Sequence, residues 1–179
     1  MISKGGLWGL EKFGFLGCVS IFKGGAGMRI SDYLREDMIC LNMKATGKEE
    51  AIKELGSFIR KAEEISNYEM FHNDVLEREK LTTTGIGEGV AIPHARTDAV
   101  TGFVIAFGKS EQGVEFDSLD GKKARLLFLM GTPKRAGLDD YLVLLAHLTR
   151  LLKEESFRES LLKAKSPTEI IDIFKKFEK

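Results

Sequence analysis

Residues 82–95 read Thr82-Thr83-Thr84-Gly85-Ile86-Gly87-Glu88-Gly89-Val90-Ala91-Ile92-Pro93-His94-Ala95. A polar, glycine-rich segment passes into a very short apolar strand, Val90–Ile92, which runs into a proline and then a histidine. The proline fixes its own backbone angle and pushes the residue before it to an extended shape. His94 is therefore held in one direction at a strand end, with the polar run Arg96-Thr97-Asp98 following. Glycines at alternate positions let backbone N–H groups approach an anion closely, so Thr84, Gly85, Gly87 and Gly89 are candidates for a phosphate-binding loop. The spacing is neither a dinucleotide fingerprint nor a P-loop: it leads into a strand rather than opening a helix, and no P-loop lysine follows.

Outward from this stretch, the chain alternates between helical and strand patterns. Met38–Met43 reads as a short buried strand. Lys48–Ile65 places Ala51, Ile52, Leu55, Phe58, Ile59 and Ala62 at helical spacing. Ser66 or Asn67 caps a second helix with the stripe Met70, Phe71 and Val75, ending near Arg78-Glu79-Lys80. Phe103–Phe107 and Ala124–Met130 are apolar runs of strand length that suit a sheet covered on two faces, with Ser118-Leu119-Asp120-Gly121 as the turn signal between them. Leu138–Leu152 is a strongly apolar helix with Asp139 or Asp140 as its cap. Glu155–Lys165 and Pro167–Phe177 follow, the latter with Ser166 as cap and Pro167 at the first helical position. The expected architecture is α/β: a single three-layer α/β/α domain over residues 28–179, with a mixed, mostly parallel sheet of about five strands.

Composition narrows the function. The 27 basic and 27 acidic residues cancel, which removes the electrostatic argument for a nucleic-acid partner or direct membrane insertion. The two cysteines, Cys18 and Cys40, form no paired motif, so neither disulfides nor zinc are indicated and a cytoplasmic setting fits. The three histidines, His72, His94 and His147, have no metal-ligand spacing, and no cofactor is implied. Residues 1–27 are glycine-rich with a short apolar run, Phe13–Phe22, too short to span a bilayer. They read as a leader or start-site extension, with Met28 as the natural start and Lys23-Gly24-Gly25 encodable by a ribosome-binding sequence.

Glu79, six further residues, and Ile86-Gly87-Glu88-Gly89-Val90-Ala91-Ile92-Pro93-His94-Ala95 resemble the phosphorylation-site signature of a bacterial protein family. That family comprises the enzyme IIA domains of the fructose, mannitol and nitrogen-regulatory group, from the phosphoenolpyruvate-dependent sugar phosphotransferase system. The resemblance extends through Gly113–Asp117, Leu119–Gly121, Leu127–Met130, Tyr141–Leu152 and Phe157–Glu159. It implies that His94 accepts a phosphoryl group from phosphorylated HPr and passes it to an enzyme IIB component in fructose-like sugar uptake. A regulatory phosphoprotein that binds target proteins is the alternative. It also implies an arginine clamp sixteen residues before the histidine, where Arg78 stands; Arg96 is a local alternative, and Glu88 is a candidate to orient Arg78. Tyr141 occupies the place of the family's second histidine, in Tyr141-Leu142-Val143-Leu144-Leu145-Ala146. A tyrosine hydroxyl can donate to a phosphoryl oxygen but adds no positive charge. His147 falls about 120° around the helix from that face, and His72 and His147 are read as structural.

Overall fold

The computed structural model describes residues 28–179; the expected leader and Cys18 lie outside the described residues. Two short 3-10 turns, Ile30–Asp32 and Glu36–Met38, lead into strand β1 (Ile39–Cys40) and helices α1 (Lys48–Ile59) and α2 (Tyr68–Leu81). Strands β2 (Gly85–Gly87), β3 (Val90–Ala91), β4 (His94–Thr97), β5 (Val104–Val114) and β6 (Ala124–Pro133) follow, then α3 (Leu138–Lys153), α4 (Glu155–Lys163) and α5 (Pro167–Phe177). The strands form one mixed sheet in the order β1-β5-β6-β3-β2, with β4 also on β6. Pairings β1–β5, β3–β6 and β4–β6 are parallel, whereas β2–β3 and β5–β6 are antiparallel.

Side-chain alternation along the two long strands divides the interior into two layers. Leu126, Phe128 and Met130 of β6, with Ile105 and Phe107 of β5, pack under Leu144 and Leu148 of α3, Phe157 of α4 and Phe174 of α5. The intervening Leu127, Leu129, Val104 and Ala106 pack on Ile52 and Leu55 of α1 and Phe71 and Val75 of α2. The expected three-layer arrangement is thus present, because both sheet faces are apolar and each needs its own helical cover.

Several boundaries differ from expectation for identifiable reasons. The sheet has six strands, because His94–Thr97 pairs with Met130–Pro133 despite its polar sequence. The glycine-rich stretch is not an open loop: Gly85–Gly87 is strand β2 and turns back as a hairpin with β3. Strand β5 runs on to Val114 past the polar residues Lys109–Gln112, with a register shift between Lys109 and Val114. Helix α3 is capped by Gly137 without a side-chain bond, so Asp139 and Asp140 lie in its first turn instead of at the cap. The caps of α2 and α5 are as read: Asn67 accepts from Met70 N, and Ser166 from Glu169 N with Pro167 following. No helix among the described residues is long and apolar enough to cross a membrane.

Candidate active site

Strands β3 and β4 lie end to end along one edge of β6 in unbroken register, Ala91 opposite Leu127 and His94 opposite Met130. Pro93 separates them because it has no N–H to give to the ladder, while its carbonyl accepts from Met130 N at 2.9 Å. His94 therefore opens β4 on the face it shares with Met130, the α3 side of the sheet. Its ring lies 5.9 Å from that of Tyr141, at 46°. The residue is only 6% exposed.

The imidazole is held by a single bond, from Nδ1 to the carbonyl oxygen of Ile92 at 2.6 Å. A carbonyl has no proton to give, so Nδ1 carries the hydrogen and Nε2 carries the lone pair. Burial is the largest influence on this ring and holds its pKa below the ordinary 6.5; the Ile92 bond and Glu79 oppose that shift, and the charge of Arg78 reinforces it. A neutral ring with its lone pair on one defined nitrogen is a nucleophile at neutral pH.

Two arginines act on the His94–Tyr141 pair, Arg78 on both rings and Arg96 on Tyr141. Arg78, in the last turn of α2, donates from Nη1 to the Thr82 carbonyl at 3.0 Å. Its field reaches both His94 and Tyr141. Arg96 of β4 is pinned by bonds to the carbonyls of Lys134 (2.6 Å) and Ala136 (3.0 Å) and acts on Tyr141 as well. Burial pushes the Tyr141 hydroxyl above its ordinary value, with the two arginines opposing. It is thus a protonated donor at neutral pH. Among the described residues no group of three or more His, Cys, Asp or Glu side chains could hold a metal.

Other sequence candidates take different places. The Glu88 carboxylate pairs with Arg158 of α4 at 3.2 Å and is 66% exposed, so it does not orient Arg78. Thr84 is buried, with its amide (3.0 and 3.3 Å) and hydroxyl both given to the Glu79 carboxylate. Its polar groups are committed within the protein and do not face an anion. The glycines have hairpin reasons: Gly87 and Gly89 sit at φ +89° and +74°, and a side chain on Gly85 would meet Ser118 at 2.8–2.9 Å. The amide of Gly85 is bonded to Thr83 Oγ1. The glycine-rich stretch is therefore a hairpin that delivers the chain to His94. His72 stacks on Tyr68, and His147 bonds Glu178.

The sequence reading named Glu79 as the first residue of the signature and gave it no role. Its side chain is 5% exposed and lies 3.1 Å from Lys48 Nζ, in addition to its bonds from Thr84. The signal was present: Phe71, Val75 and Glu79 fall at successive four-residue steps on the buried stripe of α2. A carboxylate on a core stripe requires a partner set of its own.

These features describe a buried, neutral histidine beside Tyr141, within the field of Arg78, at the edge of a mixed sheet. Residues 32–177 match the family model described as "Phosphoenolpyruvate-dependent sugar phosphotransferase system, EIIA 2". The chain belongs to that family. It is 39% identical over 137 residues to the fructose-specific EIIA component of Haloferax volcanii, covering 76% of this chain and 88% of that one. It is also 39% identical over 152 residues to the fructose-specific EIIABC component of Bacillus subtilis, covering 85% of this chain but only 24% of that longer protein. Among solved structures, the nitrogen regulatory protein IIA-Ntr from Neisseria meningitidis superposes with a TM-score of 0.75 at 32% identity, over 81% of this chain and 98% of that one. The IIA-mannitol enzyme of Escherichia coli, solved in complex with phosphorylated IIB-mannitol, gives a TM-score of 0.68 at 29% identity, over 80% of this chain and 97% of its own.

Proposed function

We propose that the protein is a phosphohistidine carrier, taking a phosphoryl group from phosphorylated HPr onto His94 Nε2 and delivering it to an enzyme IIB component. The observation that carries this reading is the Nδ1–H bond to Ile92 O, which leaves a buried, neutral ring with its lone pair on Nε2. In the transfer, Nε2 attacks phosphorus in line as the bond to the donor breaks and its electron pair leaves with the donor. Delivery reverses the sequence with the acceptor as nucleophile. Negative charge on the equatorial phosphoryl oxygens is met by Arg78, by Arg96 and by the Tyr141 hydroxyl, so catalysis is positioning plus electrostatic stabilisation. The complex of IIA-mannitol with phosphorylated IIB-mannitol supports a IIB partner, and the two fructose-specific relatives support fructose-like uptake. Balanced charge and the unpaired Cys40 suit a cytoplasmic site of action.

Tyr141, in the place of a second histidine, favours a second destination, in which the phosphoryl group switches binding to target proteins. The likeness to IIA-Ntr supports that alternative.

Incubation with phosphoenolpyruvate, enzyme I and HPr, read by intact mass, tests the carrier reading: one phosphoryl group is gained, and none by His94→Gln. Gain that persists in His94→Gln rejects it. Discharge onto a sugar-specific IIB protein selects transport, and its failure with every such IIB selects regulation.

A further inference from the structure

Glu79 is the meeting point of a chain of contacts that spans the whole site. Its carboxylate receives Lys48 Nζ from the first residue of α1, and both the amide and hydroxyl of Thr84. Two residues before Thr84, the Thr82 carbonyl anchors the Arg78 guanidinium. From Thr84 itself, the carbonyl accepts Ile92 N at 3.0 Å, and the Ile92 carbonyl in turn accepts His94 Nδ1–H. The 82–84 segment thus carries the anchor of the arginine on one side and the anchor of the histidine on the other. Glu79 ties the Thr84 end of this segment to α2, as Arg78 ties the Thr82 end.

We infer that Glu79, neutralised by Lys48, is the positioning residue of the site, clamping residues 82–84 so that the Arg78 guanidinium and the His94 ring are held in register with each other. The inference rests on the carrier reading for its kinetic consequence, but not for its geometry. Burying a carboxylate at 5% exposure is costly unless it is fully paired, and this one is satisfied by an ammonium from Lys48 and by the amide and hydroxyl of Thr84, two separate segments. Lys48 also holds the exposed Asp117 at 2.9 Å, so the ammonium is itself fixed from two sides. A lone structural ion pair has no need to grip the loop that supports two functional side chains. Misplacement on the scale of about 1 Å costs such a site up to about 100-fold in rate.

Two readouts on Glu79→Gln test this, each also made in an Arg78→Ala background. The first is the NMR titration of His94, which needs no phosphoryl chemistry. Removing the Glu79 charge alone would lower the midpoint, whereas releasing Arg78, whose opposing influence is the larger of the two, raises it. The expected result is a rise in the otherwise native protein and a fall once Arg78 is absent. A fall or no movement in the native background, or a rise in both, overturns the inference. The second readout is the rate of phosphoryl gain from phosphorylated HPr, expected to drop about 10- to 100-fold, and by a smaller factor in Arg78→Ala. An equal or larger factor there overturns it, because independent sites multiply their effects. Should the unsubstituted protein gain no phosphoryl group, the carrier reading fails and the titration alone decides the positioning role. Should Glu79→Gln not fold, Thr84→Val removes one bond to the carboxylate without changing charge. It is expected to raise the His94 midpoint and slow transfer in the same non-multiplying way, and wild-type values for both would overturn the inference.

Discussion

His94 and His147 are both tied to an oxygen, yet only one is left with chemistry to do. His147 lies beside a cavity of about 830 Å³ lined by Met28, Arg29, Asp32, Arg150 and Glu178. Both of its ring nitrogens are used: Nδ1 accepts from Arg150 at 2.8 Å and Nε2 donates to Glu178 at 2.9 Å. Glu178 in turn accepts the backbone amides of Ile30 (2.5 Å) and Ser31 (3.1 Å), so His147 staples α3 and the C-terminal end to the first turn of the described chain. The single bond of His94 to Ile92 O occupies Nδ1 and leaves Nε2 without a hydrogen-bond partner among the described residues. The contrast teaches that two bonded histidines can differ in what they leave available: His147 has both nitrogens engaged, while His94 keeps Nε2 free for the proposed transfer.

Exchanging the two residues for glutamine breaks that comparison most sharply. His94→Gln is expected to abolish phosphoryl gain with little change in melting temperature. His147→Gln is expected to keep phosphoryl gain while losing about 1–3 kcal/mol of stability, as a buried carboxylate loses part of its partner set; denaturant melts and intact mass measure the pair. Next in size is Arg78→Ala, expected to slow phosphoryl gain about 100-fold, the scale of losing one preorganised group that meets developing charge, as read by quenched-flow mass spectrometry. A smaller effect is predicted for pH. Burial keeps the His94 pKa below 6.5, so the ring is already neutral above that value. Phosphoryl gain, measured under conditions where transfer to His94 limits the rate, should fall with decreasing pH at a midpoint below 6.5. A fall centred above 6.5 would show an unburied ring. The smallest effect belongs to Tyr141→Phe, which removes one neutral donor and should slow transfer by roughly 3- to 10-fold, the worth of one such bond.

Much of this molecule was legible in its sequence, unevenly. Helices α2 and α5 announced themselves because Asn67 and Ser166 cap them with side chains. The two long strands were legible because a sheet covered on both faces writes continuous apolar runs at Ala124–Met130 and Phe103–Phe107. Strand β4 was not, since Pro93 and the polar Arg96 and Thr97 hide a pairing that only β6 supplies. In the same way β5 continues through Lys109–Gln112, where the partner strand, not local composition, keeps the chain extended.

At the site, the proline–histidine motif pointed to His94 and the family resemblance to Arg78, whose charge is among the influences on the imidazole. The glycines were ambiguous because a hairpin turn and an anion loop call for the same residue type; the fold shows the hairpin. Glu88 misled by proximity in sequence: it stands at the hairpin tip at φ 52°, where it faces Arg158. Glu79 was named as the start of the signature but given no role, because only the fold shows it pointing inward to Lys48 and Thr84.

The central claim is that His94 carries the phosphoryl group on Nε2, and nitrogen-15 NMR of the phosphorylated chain with labelled histidine tests it directly. The account predicts a phosphorus-coupled Nε2 on His94, with its Nδ1–H still bonded to the Ile92 carbonyl. A phosphoryl group on Nδ1 of His94, or on His72 or His147, would contradict it.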